Sequence, residues 1–459
     1  MPVPVYDRAR LAARIVHIGV GGFHRAHFAL YTHELAEAGS DWGIVGLGLL
    51  PRDAEMAAAL TGQDFLYTLI EKGNGEPCAE VIGSITGYVH APDGRDGAVD
   101  ELIASPTTAI LSLTVTEAGY SDEAEARHSF DRIATALATR RARSAGPLTI
   151  LSFDNIPGNG DAARHATLSA ATRRDGELAA WVQENCTFPN SMVDRITPVT
   201  ADSDRTWLLE NAGIEDRWPV VAEPFRQWVV EDEFAAGRPS WDQAGAIFTD
   251  RVHDWERYKL RFLNAGHSSM AYLSALAGIT FVHEAMAIRA IQTFLEALLY
   301  REAMPTVAAI PGHPREDYVA SVLERFGNSG VRDQIARLCI DGSAKFPTFL
   351  IPTIVRQLEA EGPIDRAATA LAGWARYLGV IDPEHQAFDA SGDTARRYAA
   401  AATGDPLAFL DYKAVFPPEL RGSTRFRTAF AESYRRITEH GPISAMEPET
   451  SGQRTGDAR

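Results

Sequence analysis

A lysine, an amide and an imidazole stand close together in Tyr258-Lys259-Leu260-Arg261-Phe262-Leu263-Asn264-Ala265-Gly266-His267. Wound as a helix at about 100° per residue with Lys259 at zero, His267 falls at about 80° and Asn264 at about 140°, so the three share one broad face. A neutral lysine can take the proton of an alcohol, an asparagine N–H can hold the developing alkoxide or carbonyl oxygen, and a histidine can orient either group. Partial burial and a nearby positive charge both disfavour the ammonium and make a lysine basic enough for this work. The bland alternative is that Lys259 lays its stem over Leu263 with its head in water, and that His267 is a satisfied core histidine.

Three further polar sets stand where apolar runs end. Leu148–Phe153 leads into Asp154-Asn155-Ile156-Pro157-Gly158-Asn159-Gly160, which puts Asn155 at a strand's carboxyl end, where parallel sheets bind their ligands. Asn155 can supply the second half of an oxyanion site, although turn chemistry alone explains Pro157 and Gly158. Thr114-Val115-Thr116-Glu117-Ala118-Gly119-Tyr120 gives Glu117 an equivalent place, either relaying protons between Lys259 and solvent or lying in a surface loop. In Val193-Asp194-Arg195-Ile196-Thr197-Pro198, Asp194 is either a hydroxyl acceptor or half of an ion pair.

The run Ile15-Val16-His17-Ile18-Gly19-Val20-Gly21-Gly22-Phe23-His24-Arg25 is an apolar strand entering a glycine turn, followed by helix-compatible Ala26–Ala38. Gly19 permits the tight turn, Gly21 lets the backbone approach a pyrophosphate, and the N–H groups that open the next helix favour its charge. Gly22 and Phe23 continue this cofactor loop, and Arg25 can add a phosphate contact. His24 stands where the usual fingerprint has its third glycine, and an ordinary strand-turn-helix would read much the same. The second strand, Trp42–Gly46, runs on to Arg52 and Asp53. An acid there suits adenine ribose hydroxyls and favours NAD, while Arg52 would tolerate the 2′-phosphate of NADP; Asp53 as N-cap of a helix over Ala54–Leu60 is the competing reading.

These residues need a scaffold. Short β-branched runs at Arg14–Ile18, Trp42–Gly46, Ala109–Thr114, Leu148–Phe153, Val193–Thr197 and Val220–Ala222 alternate with helical stretches. Such alternation predicts an α/β, Rossmann-like domain with a mostly parallel, doubly wound sheet. From about Trp255 the pattern turns helical, as in Phe281–Tyr300, Ile364–Tyr377 and Asp393–Ala402. A chain of 459 residues exceeds one core, and the expected division is a cofactor domain at 1–250, a mainly helical substrate domain at 251–446 and a frayed tail at 447–459. The net charge of −17 disfavours nucleic acid and anionic membranes. Three scattered cysteines fit a reducing cytoplasm and give no sign of a zinc site. The start lacks a signal-peptide pattern, and no apolar stretch would span a membrane. The expected partner is a small molecule, bound by a monomer or small homo-oligomer.

Taken in order, Gly19–His27, Thr116–Tyr120, Asp154–Gly160, Val193–Pro198, Glu223-Pro224-Phe225-Arg226-Gln227-Trp228 and Lys259–His267 resemble the mannitol 2-dehydrogenase family, the long-chain polyol-specific dehydrogenases. The resemblance runs from about Arg14 to Arg435. It implies Lys259 as general base, Asn155 and Asn264 as oxyanion donors, His267 as an orienting residue and Glu117 as guard of a proton path. It also implies that Arg337 and Lys345 anchor the polyol and that Asp194 accepts a substrate hydroxyl. The activity implied is NAD-dependent, metal-independent interconversion of a sugar alcohol and a 2-ketose. The absence of any Tyr-x3-Lys removes the short-chain tyrosine mechanism. A fructuronate- or tagaturonate-type reductase is the nearest alternative, since Arg337 and Lys345 could hold a carboxylate. A silent NAD-binding protein would need Gly19 and Gly21 but not Lys259, Asn264 and His267.

Overall fold

The computed structural model describes residues 1–92, 97–120, 127–382, 384 and 386–447. The chain forms two compact units, Met1–Glu256 and Arg257–Arg459.

The first unit carries twelve strands among the described residues: β1 (Ala12–Ile18), β2 (Trp42–Gly48), β3 (Tyr67–Glu71), β4 (Cys78–Ile82), β5 (Ile85–His90), β6 (Ile110–Leu113), β7 (Leu148–Ser152), β8 (Cys186–Thr187), β9 (Ser191–Asp194), β10 (Val220–Ala222), β11 (Gln227–Val230) and β12 (Ile247–Phe248). Six of them form a wholly parallel sheet in the order β5-β2-β1-β6-β7-β8. Counted within that sheet alone, the order is 3-2-1-4-5-6, the doubly wound arrangement that binds dinucleotides where the strand order reverses. Alternation along β1 sends Ile15 into one core with Phe28, Tyr31, Trp228 and Trp241, and Val16 into another with Leu111, Phe130 and Leu137. Both faces of the sheet are therefore covered, which is why its central strands read as continuous apolar runs. Two small sheets, β10-β3-β4 and β12-β11-β9, use the remaining strands, with β3 and β4 inserted in sequence between β2 and β5.

Two expectations shift here. The strand expected over Val193–Thr197 lies at Ser191–Asp194, which makes Asp194 its last residue. The helix expected over Ala26–Ala38 is two pieces, α1 (Gly22–Ala26) and α2 (Phe28–Glu37), because His27 leaves helical geometry at φ −125 and ψ −87.

The second unit is helical, and its described residues outside helices pair only as isolated bridges, Phe281 with Gln334 and Ile310 with His313. The expected helix at Phe281–Tyr300 is split into Val282–Met286, Arg289–Ala297 and a π-helix at Leu298–Ala303, with Ile288 extended between the first two. The helices Asp365–Val380 and Asp393–Ala402 stand where the periodicity put them. Trp374 centres an aromatic core with Phe346 at 5.1 Å and Phe409 at 5.0 Å. Of the expected tail, 448–459 lies outside the described residues.

Candidate active site

At the reversal between β1 and β6, Gly19 sits at φ +88, and a Cβ on it would stand 2.2 Å from the Thr114 carbonyl oxygen. Only glycine serves there. The Gly19 carbonyl accepts from Gly21 N–H at 2.7 Å and from the Thr114 hydroxyl at 2.6 Å. Beneath them His17 places Nε2 3.3 Å from that carbonyl and Nδ1 2.9 Å from Ser112 Oγ. Burial pushes His17 down to about 3, so it acts here as a neutral ring. Gly21 caps α1 with extended backbone, and a Cβ on it would meet nothing nearer than 3.8 Å. Its freedom from packing constraints leaves a face open to a ligand, as the pyrophosphate of a dinucleotide requires. A Cβ on Gly22 would touch Thr197 at an ordinary 3.6 Å, and Phe23 stacks on His27 at 4.9 Å. His24, in the third-glycine position, stacks on His17 at 3.5 Å.

Arg25 requires a correction. It is 1% exposed, its guanidinium donates to the Trp218 carbonyl and lies 5.3 Å over the Tyr67 ring, and the Tyr67 hydroxyl donates back to its carbonyl. The short α1 turns Arg25 into the core, where it ties elements together instead of reaching a phosphate. Burial lowers its pKa to about 10. Asp53 stands at the N-cap position of the helix Ala54–Thr61, but its side chain does not cap that helix. Its carboxylate accepts from Leu50 N–H at 2.9 Å and closes the 3-10 turn Pro51–Asp53, leaving the helix Ala54–Thr61 without a side-chain cap. Arg52 beside it is exposed.

At the ends of β6 and β7 the organising residue is Asp154, which the sequence marked only as a turn former. Its buried carboxylate accepts from Thr116 N–H at 2.7 Å, Val115 N–H at 3.2 Å and the Tyr120 hydroxyl at 2.7 Å, and burial raises its pKa. It thereby fixes the loop that carries exposed Glu117, and Asn155, next to Asp154 in the chain, is also exposed. Asn159 secures the same corner through the carbonyls of Ser152 and Asp154 and both backbone groups of Ser191. Asp194 is buried opposite Gln227. Its neighbour Arg195 pairs with Glu71 and donates to the carbonyls of Ala26 and Glu223. Glu256, also buried and not singled out by the sequence, accepts from Gly158 N–H at 2.9 Å and lies 2.8 Å from His253 Nδ1.

Lys259 opens a π-helix, Lys259–Asn264, set between the α-helices Val252–Tyr258 and Ala265–Leu276. The 100° wheel therefore fails locally. An i→i+5 turn brings residues five apart, here Lys259 and Asn264, nearer to one line than an α-helix would, and such turns mark functional sites. Lys259 is 9% exposed. His267, one helical turn on, is buried against Phe326 with ring centroids 4.1 Å apart, and its Nε2 lies 4.0 Å from Asp333. Asp333 grips Arg337 at Nε and Nη2, at 2.8 and 2.6 Å. Lys345 donates to the Leu338 carbonyl at 3.2 Å, at the end of Arg337's short helix. The second unit thus brings His267 and Arg337 together through Asp333, whose i, i+4 spacing from Arg337 was the available sequence signal.

Among the described residues, no three His, Cys, Asp or Glu side chains gather as metal ligands, and no helix is long and apolar enough to cross a membrane. The family model for the mannitol dehydrogenase Rossmann domain matches residues 13–243, and that for the mannitol dehydrogenase C-terminal domain matches 251–438. The chain belongs to the mannitol dehydrogenase family. The Rossmann match spans Gly19, Asn155 and Asp194, and the C-terminal match spans Lys259, Asn264, His267, Arg337 and Lys345. Among mannitol dehydrogenase relatives, mannitol 2-dehydrogenase of Phaeosphaeria nodorum is 41% identical over 449 residues, 92% of this chain and 79% of that protein. Mannitol dehydrogenase 2 of Saccharomyces cerevisiae is 40% identical over 474 aligned positions, 97% of this chain and 94% of that one. Mannitol 2-dehydrogenase of Pseudomonas fluorescens, solved as a ternary complex with NAD and D-mannitol, is 37% identical with a TM-score of 0.85, covering 97% of this chain and 96% of that one. A D-sorbitol dehydrogenase solved without substrate is 33% identical with a TM-score of 0.88, covering 97% of each chain.

Proposed function

We propose that this member of the mannitol dehydrogenase family oxidises a mannitol-like sugar alcohol to the 2-ketose with NAD, and runs the reverse reduction, by lysine acid/base chemistry without a metal. The observation that carries the reading is Lys259, buried at the head of a π-turn that Asn264 closes. Lys259 removes the C2 hydroxyl proton, Asn264 and Asn155 donate to the oxygen as it gains charge, and His267 holds the substrate in register. Arg337, Lys345 and Asp194 anchor the more distant hydroxyls, and Glu117 passes the proton to solvent. Gly19, Gly21, Gly22 and Phe23 form the cofactor loop, with Asp53 toward the adenine ribose. Bound there, NAD supplies the hydride acceptor. The exposed Arg52 leaves NADP as a weaker second cofactor. The working enzyme is a cytoplasmic monomer or small homo-oligomer with a cofactor domain at 1–250 and a substrate domain at 251–446.

The relative solved with D-mannitol supports mannitol, and the D-sorbitol dehydrogenase supports sorbitol as the second candidate. Initial rates on D-mannitol, D-sorbitol, D-arabinitol and, in reduction, fructuronate, each with NAD or NADP and their reduced forms, test the proposal. The highest kcat/KM is expected for D-mannitol with NAD. A preference for fructuronate would overturn the substrate class, and cofactor binding without turnover would overturn catalysis.

A further inference from the structure

Arg337 is the residue whose chemistry leaves the substrate class open, because a guanidinium serves a carboxylate as readily as a hydroxyl. A carboxylate is best held by a bidentate edge and a full positive charge, whereas a hydroxyl needs one donor. In this chain the Nε and Nη2 donors of Arg337 already meet the two oxygens of Asp333, at 2.8 and 2.6 Å. Asp333 is 6% exposed, and its own carbonyl accepts from Val282 N–H at 2.9 Å, so it sits on fixed backbone. The Arg337 side chain is half exposed, with Nη1 on the edge away from that pair. The second oxygen of Asp333 also lies 4.0 Å from His267 Nε2. One buried carboxylate therefore occupies one of the two bidentate edges of Arg337 and offsets its charge.

We propose that Asp333 determines specificity for neutral polyols and ketoses over sugar acids by occupying Arg337 and leaving it a single-edge donor. Asp333 is a positioning residue that acts through Arg337, and the inference rests on the reading that Arg337 contacts substrate. A sugar acid entering beside this pair meets a guanidinium whose charge Asp333 already offsets, so its carboxylate gains little there, whereas a neutral ketose needs only a donor.

The test compares reduction of fructose and fructuronate by the NADH-saturated wild type, Asp333→Asn, Arg337→Ala and the double variant. Asp333→Asn removes the charge and keeps the shape, and is expected to raise the fructuronate-to-fructose ratio of kcat/KM by about tenfold or more, through KM rather than kcat. The double variant is expected to show the ratio of Arg337→Ala, because Asp333 has nothing left to act through. An unchanged ratio in Asp333→Asn, alongside a raised KM in Arg337→Ala, overturns this proposal and leaves the substrate reading standing. An unchanged KM for both substrates in Arg337→Ala overturns the reading on which it rests. A measurement independent of any variant's folding is competitive inhibition of the wild type by a six-carbon polyol and by the aldonate of equal length. Weaker inhibition by the aldonate is expected, and tighter inhibition refutes the proposal.

Discussion

Gly19→Ala and Gly21→Ala differ by two positions and should fail in different ways. At Gly19 the new Cβ would lie 2.2 Å from the Thr114 carbonyl oxygen, where real Cβ atoms do not come within 3.0 Å, and the backbone is at φ +88. The left-handed conformation costs an alanine about 1–2 kcal/mol. Relieving the clash parts the ends of β1 and β6, which are joined by Thr114 N–H to Ile18 O at 2.9 Å and the Thr114 hydroxyl to Gly19 O at 2.6 Å, each bond contributing about 1 kcal/mol. The sum is about 3–4 kcal/mol of lost stability. At Gly21 the backbone is extended and the nearest atom to a new Cβ is 3.8 Å away, so stability should hold or rise by up to about 1 kcal/mol. The methyl would nevertheless occupy the face offered to the pyrophosphate, and NADH affinity should fall about tenfold or more. Urea unfolding and NADH fluorescence titration measure the two quantities separately. If Gly21→Ala bound NADH as tightly as wild type, the loop would not be where the cofactor lies. If Gly19→Ala kept wild-type stability, the close approach of β1 to β6 would not limit this turn.

Two further outcomes follow from buried groups. Asp154→Ala leaves two backbone N–H groups and the Tyr120 hydroxyl without their acceptor; it should cost about 2–3 kcal/mol and lower kcat with NADH binding retained, as urea titration and steady-state rates would show. His17 and His27 are pushed by burial down to about 3, below the unfolded value of about 6.5. The unfolded chain therefore takes up protons first, so each histidine's contribution is complete above pH 6.5 and shrinks as the pH falls, by about 2 kcal/mol between pH 6.5 and 5. His27→Gln should flatten the fall in unfolding free energy over that range, and an unaltered slope would contradict the reading.

The parallel sheet was legible because strands covered on both faces read as apolar runs, and β1 with its glycine turn stood out for that reason. β5 escaped notice because Gly87 and Tyr88 interrupt its apolar pattern. Arg25 misled in a different way, since a burial that turns a charged residue inward depends on partners distant in sequence, here Trp218. The spacing of Lys259, Asn264 and His267 was read on an α-helical wheel, but the segment is a π-helix, because hydrophobic periodicity carries no mark of an i→i+5 turn. Asp154 was hidden for a further reason, whereas Asp333 had its i, i+4 spacing from Arg337 as a signal. The importance of Asp154 lies in what its carboxylate holds, and a lone aspartate near a turn gives no sign of that.

Turnover of Lys259→Ala on D-mannitol with NAD is the most direct test, measured on a variant shown by circular dichroism and NADH titration to be folded and to bind cofactor. Loss of a general base predicts a fall in kcat of about 10²–10⁴-fold with NADH affinity preserved. Near-wild-type turnover in that folded, cofactor-binding variant would contradict lysine catalysis in this protein.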